Sequence, residues 1–132
     1  MKREEELLTS VEIGTLCAYY GGLLTEKQRE ALRLHFDEDD SLGEIAAEAG
    51  ISRQSVHELV TRSAGKLRHY EETLGLVRKA RETAAALRQV NGLIEKAREG
   101  APESTAAILD AASRELSRVI SRQEGEENDY GI

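Results

Sequence analysis

Residues Leu42 to Leu59 read LGEIAAEAGISRQSVHEL, and this stretch decides the fold. Just before it, Ser41 stands three residues ahead of Glu44, the spacing of a capping box. The hydroxyl takes the N3 amide and the carboxylate reaches back to the cap amide, so a helix opens at Leu42. Gly50 closes that helix after Ala49, because glycine enters the left-handed region without strain. Ser52 then offers a side-chain acceptor to a new helix beginning Arg53-Gln54-Ser55-Val56. Ala46 is small where the two axes would cross. Ile45, Ile51, Val56 and Leu59 read as an apolar wedge, completed by Leu42 and Ala49. Two short helices on so tight a turn have the form of a DNA-binding helix-turn-helix. An ordinary αα-corner in a helical bundle is the competing reading, but it does not require a small residue, a glycine and an N-cap at these spacings.

Working upstream, Thr25 and Gln28 make a second capping box, opening a helix that runs to about Phe36 with Leu32 and Phe36 at i, i+4. An earlier helix is expected over Val11–Tyr20, with Ile13, Leu16, Cys17 and Tyr20 on one face, stopped by a left-handed Gly21-Gly22. The acidic run Asp37–Asp40 reads as a turn. Downstream, helical periodicity continues from Ser52 to about Glu99. The expectation is one long helix, or two collinear ones bent near Gly75, with Gly65, Gly75 and Gly92 as kinks. Gly100-Ala101-Pro102 is a stop followed by a start, and a last helix spans about Glu103–Arg122. Gly125–Ile132 reads as a frayed tail. Period-two alternation of β-branched residues is missing throughout. The fold class is therefore all-α: a helix-turn-helix domain over residues 1–74, then a long helical hairpin over residues 75–132.

The composition narrows the function. The chain has 132 residues, about one domain's length. It carries a formal charge of −7, with 25 acids against 18 bases, which excludes a non-specific nucleic-acid coat. Aromatic residues are 4% with no Trp, too few to stack single-stranded bases. The charge is uneven: residues 1–40 sum to −5, 41–74 to −1, 75–100 to +3 and 101–132 to −4. Cys17 is the lone cysteine, so an internal disulfide or a multi-cysteine zinc site is ruled out. The opening Met1–Glu6 lacks the apolar core of a signal peptide, and no apolar run is long enough to span a bilayer. A cytoplasmic location without membrane insertion is expected.

In a helix-turn-helix the second helix presents its N-terminal residues to base edges. Those are Ser52, Arg53, Gln54 and Ser55, with His57, Glu58, Thr61, Arg62 and Lys66 further along the outer face. Arg53 has the fork that reads guanine, and Gln54 the amide that reads adenine. Ser52 and Ser55 can donate to phosphate, as can the amides of the helix end. Between Ser52 and Tyr70, Arg53, Arg62, Lys66 and Arg68 face a single acid, Glu58, for a local +3. That suffices for about three or four phosphate contacts per chain, so binding should be weak in one chain and steeply salt-dependent. The other reading of these cations is a solvated helix face.

The order of motifs resembles a known family. Tyr20-Gly-Gly-Leu-Leu-Thr-Glu-Lys-Gln, then Ser41-Leu-Gly-Glu-Ile-Ala, then Ser52-Arg-Gln-Ser-Val look like the YlxM family of helix-turn-helix proteins, over about residues 11–80. A looser likeness extends to region 4 of sigma factors, where a Leu-Thr segment also precedes a helix-turn-helix. The resemblance implies an all-helical, dimeric, cytoplasmic bacterial protein that is not an enzyme. It implies an accessory or regulatory role in the signal recognition particle pathway, with DNA, the particle's RNA or its GTPase as partner. A dimeric, sequence-specific DNA-binding transcriptional regulator is the alternative. Two departures stand out: Ala31, Leu32 and Leu34 occupy a helix that is bulkier in the family, and the Ala-rich segment Ala80–Arg122 is longer than usual.

The C-terminal half reads as an interface. Leu67, Tyr70, Leu74, Val77, Ala80, Ala84, Leu87, Val90, Ile94 and Ala97 recur in steps of three and four, a packing stripe. The last helix offers Ile108 or Leu109, Ala112, Leu116, and Val119 or Ile120. Two helices alone bury too little, so a second subunit is expected, giving a two-fold homodimer with paired recognition helices; packing back onto residues 11–60 is the other solution. Arg78, Lys79, Arg81 and Arg88 form a basic patch that reads either as a nucleic-acid surface or as a solvated face. Chemistry is not indicated. His35, His57 and His69 lack metal-ligand spacing, Cys17 sits on an apolar face, and the acidic runs Glu4–Glu6, Asp37–Asp40 and Glu124–Glu127 lack an apolar setting to shift their acidity. No cofactor is expected.

Overall fold

The structure, a computed structural model, describes residues 2–38 and 40–124, with side chains described from residue 9 onward except residue 37. The expected frayed tail Gly125–Ile132 lies outside the described residues. Six α-helices follow in order: α1 (Lys2–Tyr20), α2 (Glu26–Leu32), α3 (Leu42–Ala49), α4 (Arg53–Leu74), α5 (Leu76–Arg98) and α6 (Glu103–Gln123). The described residues contain no strand, so the fold is all-α. None of the helices is long and apolar enough to cross a membrane.

The described residues divide into two compact units, 2–77 and 78–124. In the first, α4 is the central post, packing on α1, α2 and α3. Its inner stripe of Val56, Val60, Ala64 and Leu67 meets Ile13, Leu16 and Tyr20 of α1, Ala31 and Leu32 of α2, and Ile45 and Ala46 of α3. Burying a side chain such as Leu32 or Leu67 stabilises by about 1.5–3 kcal/mol. Ser63 also sits fully inside, and its hydroxyl donates to the Leu59 carbonyl at 2.6 Å, so its burial leaves no polar group unpaired.

Local signals account for most helix ends. At α2 the Gln28 N–H donates to Thr25 Oγ1 at 3.2 Å while the Thr25 N–H donates to Gln28 Oε1 at 2.8 Å, a complete capping box. The second box, Ser41 with Glu44, opens α3. Gly50, Gly75 and Gly100 all take positive φ, at 71°, 63° and 74°.

The structure corrects several boundaries. α1 begins at Lys2 rather than Val11. Gly21 and Gly22 do not stop it in a left-handed turn; they continue into a 3-10 turn, Gly21–Leu23, with Gly21 buried against the Arg29 side chain. α2 does not run straight to Phe36 but widens into a π-turn, Arg33–Asp37, which sets Leu34 and Phe36 against the core. Of the two readings of Ser52–Glu99, one long helix or two meeting near Gly75, the structure takes the second, while α4 and α5 run unbroken through the other expected kinks, Gly65 and Gly92. Both of those glycines can be carried in a helix at a modest propensity cost, while Gly75 alone of the three is needed for a positive φ.

The break at Gly75 is built from both sides. The Gly75 N–H closes α4 on the Glu71 carbonyl at 2.8 Å. The freed amides that start α5 then find side-chain acceptors: the Leu76 N–H donates to Tyr20 Oη at 3.1 Å, and the Val77 N–H to Glu71 Oε1 at 3.0 Å. Tyr20 itself donates to Glu71 Oε1 at 2.6 Å. Burial and the hydrogen bond to Glu71 raise the Tyr20 phenol above its usual range, against a lowering contribution from the Leu76 amide.

The second unit is an antiparallel hairpin. Arg88 pairs with Glu124, the Ser113 hydroxyl donates to Asn91 Oδ1 at 2.7 Å, and Arg98 forks onto Asp110 at 2.5 and 3.2 Å. Of the expected stripe, Ala80, Ala84 and Ile120 are buried, and Leu87, Ile94, Leu109, Ala112 and Leu116 are half-buried. Leu74, Val90 and Ala97 are instead exposed, as are Ile108 and Val119, so α6 turns inward through Leu109 and Ile120. Three-and-four spacing admits either neighbour; the seam with α5 selects one.

Candidate nucleic-acid interface

The corner between α3 and α4 combines backbone and cap bonds with the burial of Ile45, Ala46 and Val56. Gly50 N–H and Ile51 N–H both donate to the Ala46 carbonyl, at 2.9 and 3.1 Å. Ser52 caps α4: its Oγ accepts the Ser55 N–H at 3.0 Å and its hydroxyl donates to Ser55 Oγ at 2.8 Å. Ser52 and Ser55 are thus tied to each other at the cap.

All seven candidate residues, Ser52, Arg53, Gln54, Ser55, His57, Arg62 and Lys66, are exposed. Val56, Val60, Ser63, Ala64 and Leu67 turn one side of α4 into the core, and at about 100° per residue Gln54, Thr61 and Arg62 fall on the opposite side. Arg53, about half a turn around from Arg62, is exposed at the start of the helix. Arg53 and Gln54 occupy the first turn. Arg62 and Lys66 lie roughly 14 and 20 Å further along the axis, so the first-turn pair and the distal cations form two groups on one helix and not one cluster. Glu58 is exposed between them, and Thr61 accompanies Arg62. Of the four cations counted along this helix, Arg68 is tied by its Nε to Glu12 Oε1 of α1 at 3.1 Å, which takes part of the local charge out of the patch.

Two members of the expected wedge are not in it. Ile51 is 45% exposed and Ala49 is exposed, while Ile45, Ala46 and Val56 are buried and Leu42 and Leu59 pack at the edge of the core. The turn swings Ile51 outward directly after the positive φ of Gly50. With Leu34, Ala31 and Leu59 it lines an open groove of about 540 Å³ beside the corner, with Lys27, Glu30, Arg33 and Glu48 on its rim. Sequence pattern marks Ile51 as apolar but cannot say which side of a three-residue turn it takes.

Among the described residues no group of three or more His, Cys, Asp or Glu is placed to hold a metal ion. Cys17 is half-buried against the core of the first unit.

Comparison with known proteins points to one family. Residues 7–104 match the model of the UPF0122 family, described as "Putative helix-turn-helix protein, YlxM / p13 like". A UPF0122 protein of Desulforamulus reducens is 37% identical over 114 residues, covering 86% of this chain and 94% of the relative. One from Symbiobacterium thermophilum is 40% identical over 99 residues, covering 75% and 92%. Another, from Halalkalibacterium halodurans, is 35% identical over 102 residues, covering 77% and 92%. No solved structure matches significantly.

Proposed function

The chain belongs to the UPF0122 family of YlxM/p13-like helix-turn-helix proteins, and on that premise we propose that it binds nucleic acid through the N-terminal half of α4, as an accessory or regulatory protein of the signal recognition particle pathway in the cytoplasm. The observation that carries this reading is the exposed N-terminal end of α4. It starts at a corner shaped by Gly50 and Ser52 and exposes Arg53, Gln54, Ser55 and His57, with Arg62 and Lys66 further along the helix. In this reading α3 and α4 are a sigma region 4-like helix-turn-helix. Arg53 and Gln54 contact base edges, while Ser55, Arg62 and Lys66 contact phosphates.

Residues 1–74 then carry the ligand-binding function and residues 75–132 pair two copies. The hairpin supports that division, because it leaves Val90, Leu93 and Ile108 at 45%, 67% and 71% exposure, apolar surface that a second copy would cover. The connection to the targeting particle rests on the family resemblance. A sequence-specific DNA-binding transcriptional regulator is the second reading, favoured by the exposed Arg53-Gln54 pair in the first turn of α4.

The test is titration of the full chain against mixed-sequence duplex DNA, the particle's RNA and its GTPase across a salt series. With about six to eight phosphate contacts per dimer, the logarithm of affinity for duplex DNA should fall with that of salt at a slope near −5 to −7. Arg53→Ala and Gln54→Ala should each weaken preferred over random sites by about 1–3 kcal/mol in the transcriptional reading. Salt-independent binding, or unchanged binding in both variants, refutes a nucleic-acid role for α4.

A further inference from the structure

Gly65 is the one glycine within α4, and no feature of the described residues requires it. It lies in mid-helix without a positive φ, and a Cβ built on it would meet no atom within 4 Å. Neither a turn nor a close packing contact accounts for it, and in a helix interior glycine is less favourable than alanine. It is also exposed, so α4 shows a short length of bare backbone there.

The positions around that notch are of one kind. On a helix surface the neighbours of a residue are those three and four positions away, here Thr61, Arg62, Arg68 and His69. Lys66 is adjacent in sequence. All five are exposed, and each carries a hydrogen-bond donor. Arg62, Lys66 and His69 make no hydrogen bond or ion pair with any described residue. Arg68 is held through Nε by Glu12 Oε1 at 3.1 Å, the carboxylate that α1 brings to this side. On α4 itself the acids along the same line are Glu58 and Glu72, each seven residues from Gly65 and so about 10 Å along the axis. They bracket the notch without entering it. Charge on this side of α4 is thus mixed, while the donors concentrate at one level.

We infer that Gly65 is a close-approach point for a nucleic-acid backbone: the missing side chain lets a phosphate reach the surface of α4, where Arg62 and Lys66 pair with it and Thr61 and His69 donate hydrogen bonds. Guanidinium matches phosphate geometry with two donors, and hydroxyl and imidazole groups supply the weaker positioning bonds. A phosphate at this level lies between two carboxylates about 21 Å apart, which oppose its sliding along the helix. Gln54 is within about 20° of Gly65 around the helix and about 17 Å before it, so the first turn and the notch share one side of α4. The inference rests on the reading that α4 binds nucleic acid. It adds a steric requirement in mid-helix, which accounts for a glycine where alanine would make a more stable helix.

Filling the notch is the test, because the same change strengthens the fold. Gly65→Ala and Gly65→Leu place good helix formers in open space, so both should raise the urea midpoint of the full chain. Binding is measured to a mixed-sequence duplex DNA, a stem-loop RNA and polyglutamate, each over a salt series. Gly65→Leu should weaken nucleic-acid binding by about tenfold or more, the scale of one charge-assisted contact, and Gly65→Ala by less. The magnitude of the salt slope should fall by between about one and two as the phosphate loses Arg62 and Lys66. The larger loss identifies duplex or stem-loop backbone as the source of the phosphate. Arg62→Gln/Lys66→Gln should lower the slope similarly, and adding Gly65→Leu to it should cost little more, since both act on one contact. If Arg53→Ala and Gln54→Ala weaken binding while Gly65→Leu binds like the native chain, the notch is refuted and the α4 reading stands. The converse leaves the notch and removes the first turn from the interface. Binding to polyglutamate alone refutes the notch in favour of an acidic protein, and a native chain that binds neither nucleic acid ends both proposals. Should Gly65→Leu lower the midpoint, Gly65→Ala must show the loss of affinity at a native or raised midpoint, and unchanged affinity there overturns the inference.

Discussion

Replacing Tyr20 by Phe removes one oxygen from the point where α4 ends and α5 begins. That residue is 1% exposed, and its Oη donates to Glu71 at 2.6 Å while accepting the Leu76 N–H at 3.1 Å. The ring packing against Tyr19 and Tyr70 stays, so the change isolates the polar contribution. A hydrogen bond to a carboxylate contributes about 1.5–3 kcal/mol, and a stranded buried amide costs about 1–3 kcal/mol. The two losses share one atom and do not add; the expected destabilisation is about 2–3 kcal/mol. Glu71 keeps the Val77 N–H, so Glu71→Gln, which retains an acceptor, should cost less. Urea unfolding followed by circular dichroism measures the total, and amide hydrogen exchange at Leu76 localises it. The phenol adds a pH signature. Its folded pKa is raised, so the stability it confers is complete below the unfolded value near 10 and is lost as pH climbs through the higher folded value. Native protein should shed that increment on the alkaline side, and Tyr20→Phe should have none to shed. A variant within about 0.5 kcal/mol of native, with Leu76 protected and the alkaline limb unchanged, would refute the junction as described.

Other expectations concern glycines, a cap and an ion pair. Gly50→Ala meets no atom within 4 Å of the new Cβ, so its cost is the left-handed backbone alone, about 1–2 kcal/mol by thermal or urea unfolding. Gly65→Ala, equally open but in mid-helix, should instead stabilise by about 0.5–1 kcal/mol. Thr25→Ala removes the acceptor of the Gln28 N–H and should cost about 1 kcal/mol. Asp110 has a folded pKa lowered by Arg98, so its contribution is present above the unfolded value and disappears as pH falls through the folded one; Asp110→Asn should flatten that acid limb of the hairpin's unfolding profile.

The elements that could be read in the chain share one property: their hydrogen bonds close within a few residues. Thr25 with Gln28, Ser41 with Glu44, Ser52 with Ser55, and a glycine at position 50 each complete a bond or a backbone turn over three or four positions. The exposure of Gln54, Thr61 and Arg62 follows from the same short-range logic, because the apolar residues Val56, Val60 and Leu67 set the phase of the helix.

What the chain determined alone, then, was an all-helical class, the α3–α4 corner, and the residues on the outer face of α4, since periodicity and caps are properties of adjacent residues. Tertiary structure decided the rest. Gly21-Gly22 continues α1 as a 3-10 turn with Gly21 buried, an outcome that the glycine pair itself leaves open. Whether Ile51 fills a wedge or lines a groove depends on which way a three-residue turn leaves α3. Whether Gly65, Gly75 or Gly92 breaks the long helix depends on Tyr20, more than fifty residues away, offering its oxygen to the freed amide of Leu76. At this position the glycine permits the break, and Tyr20 and Glu71 receive the amides it releases.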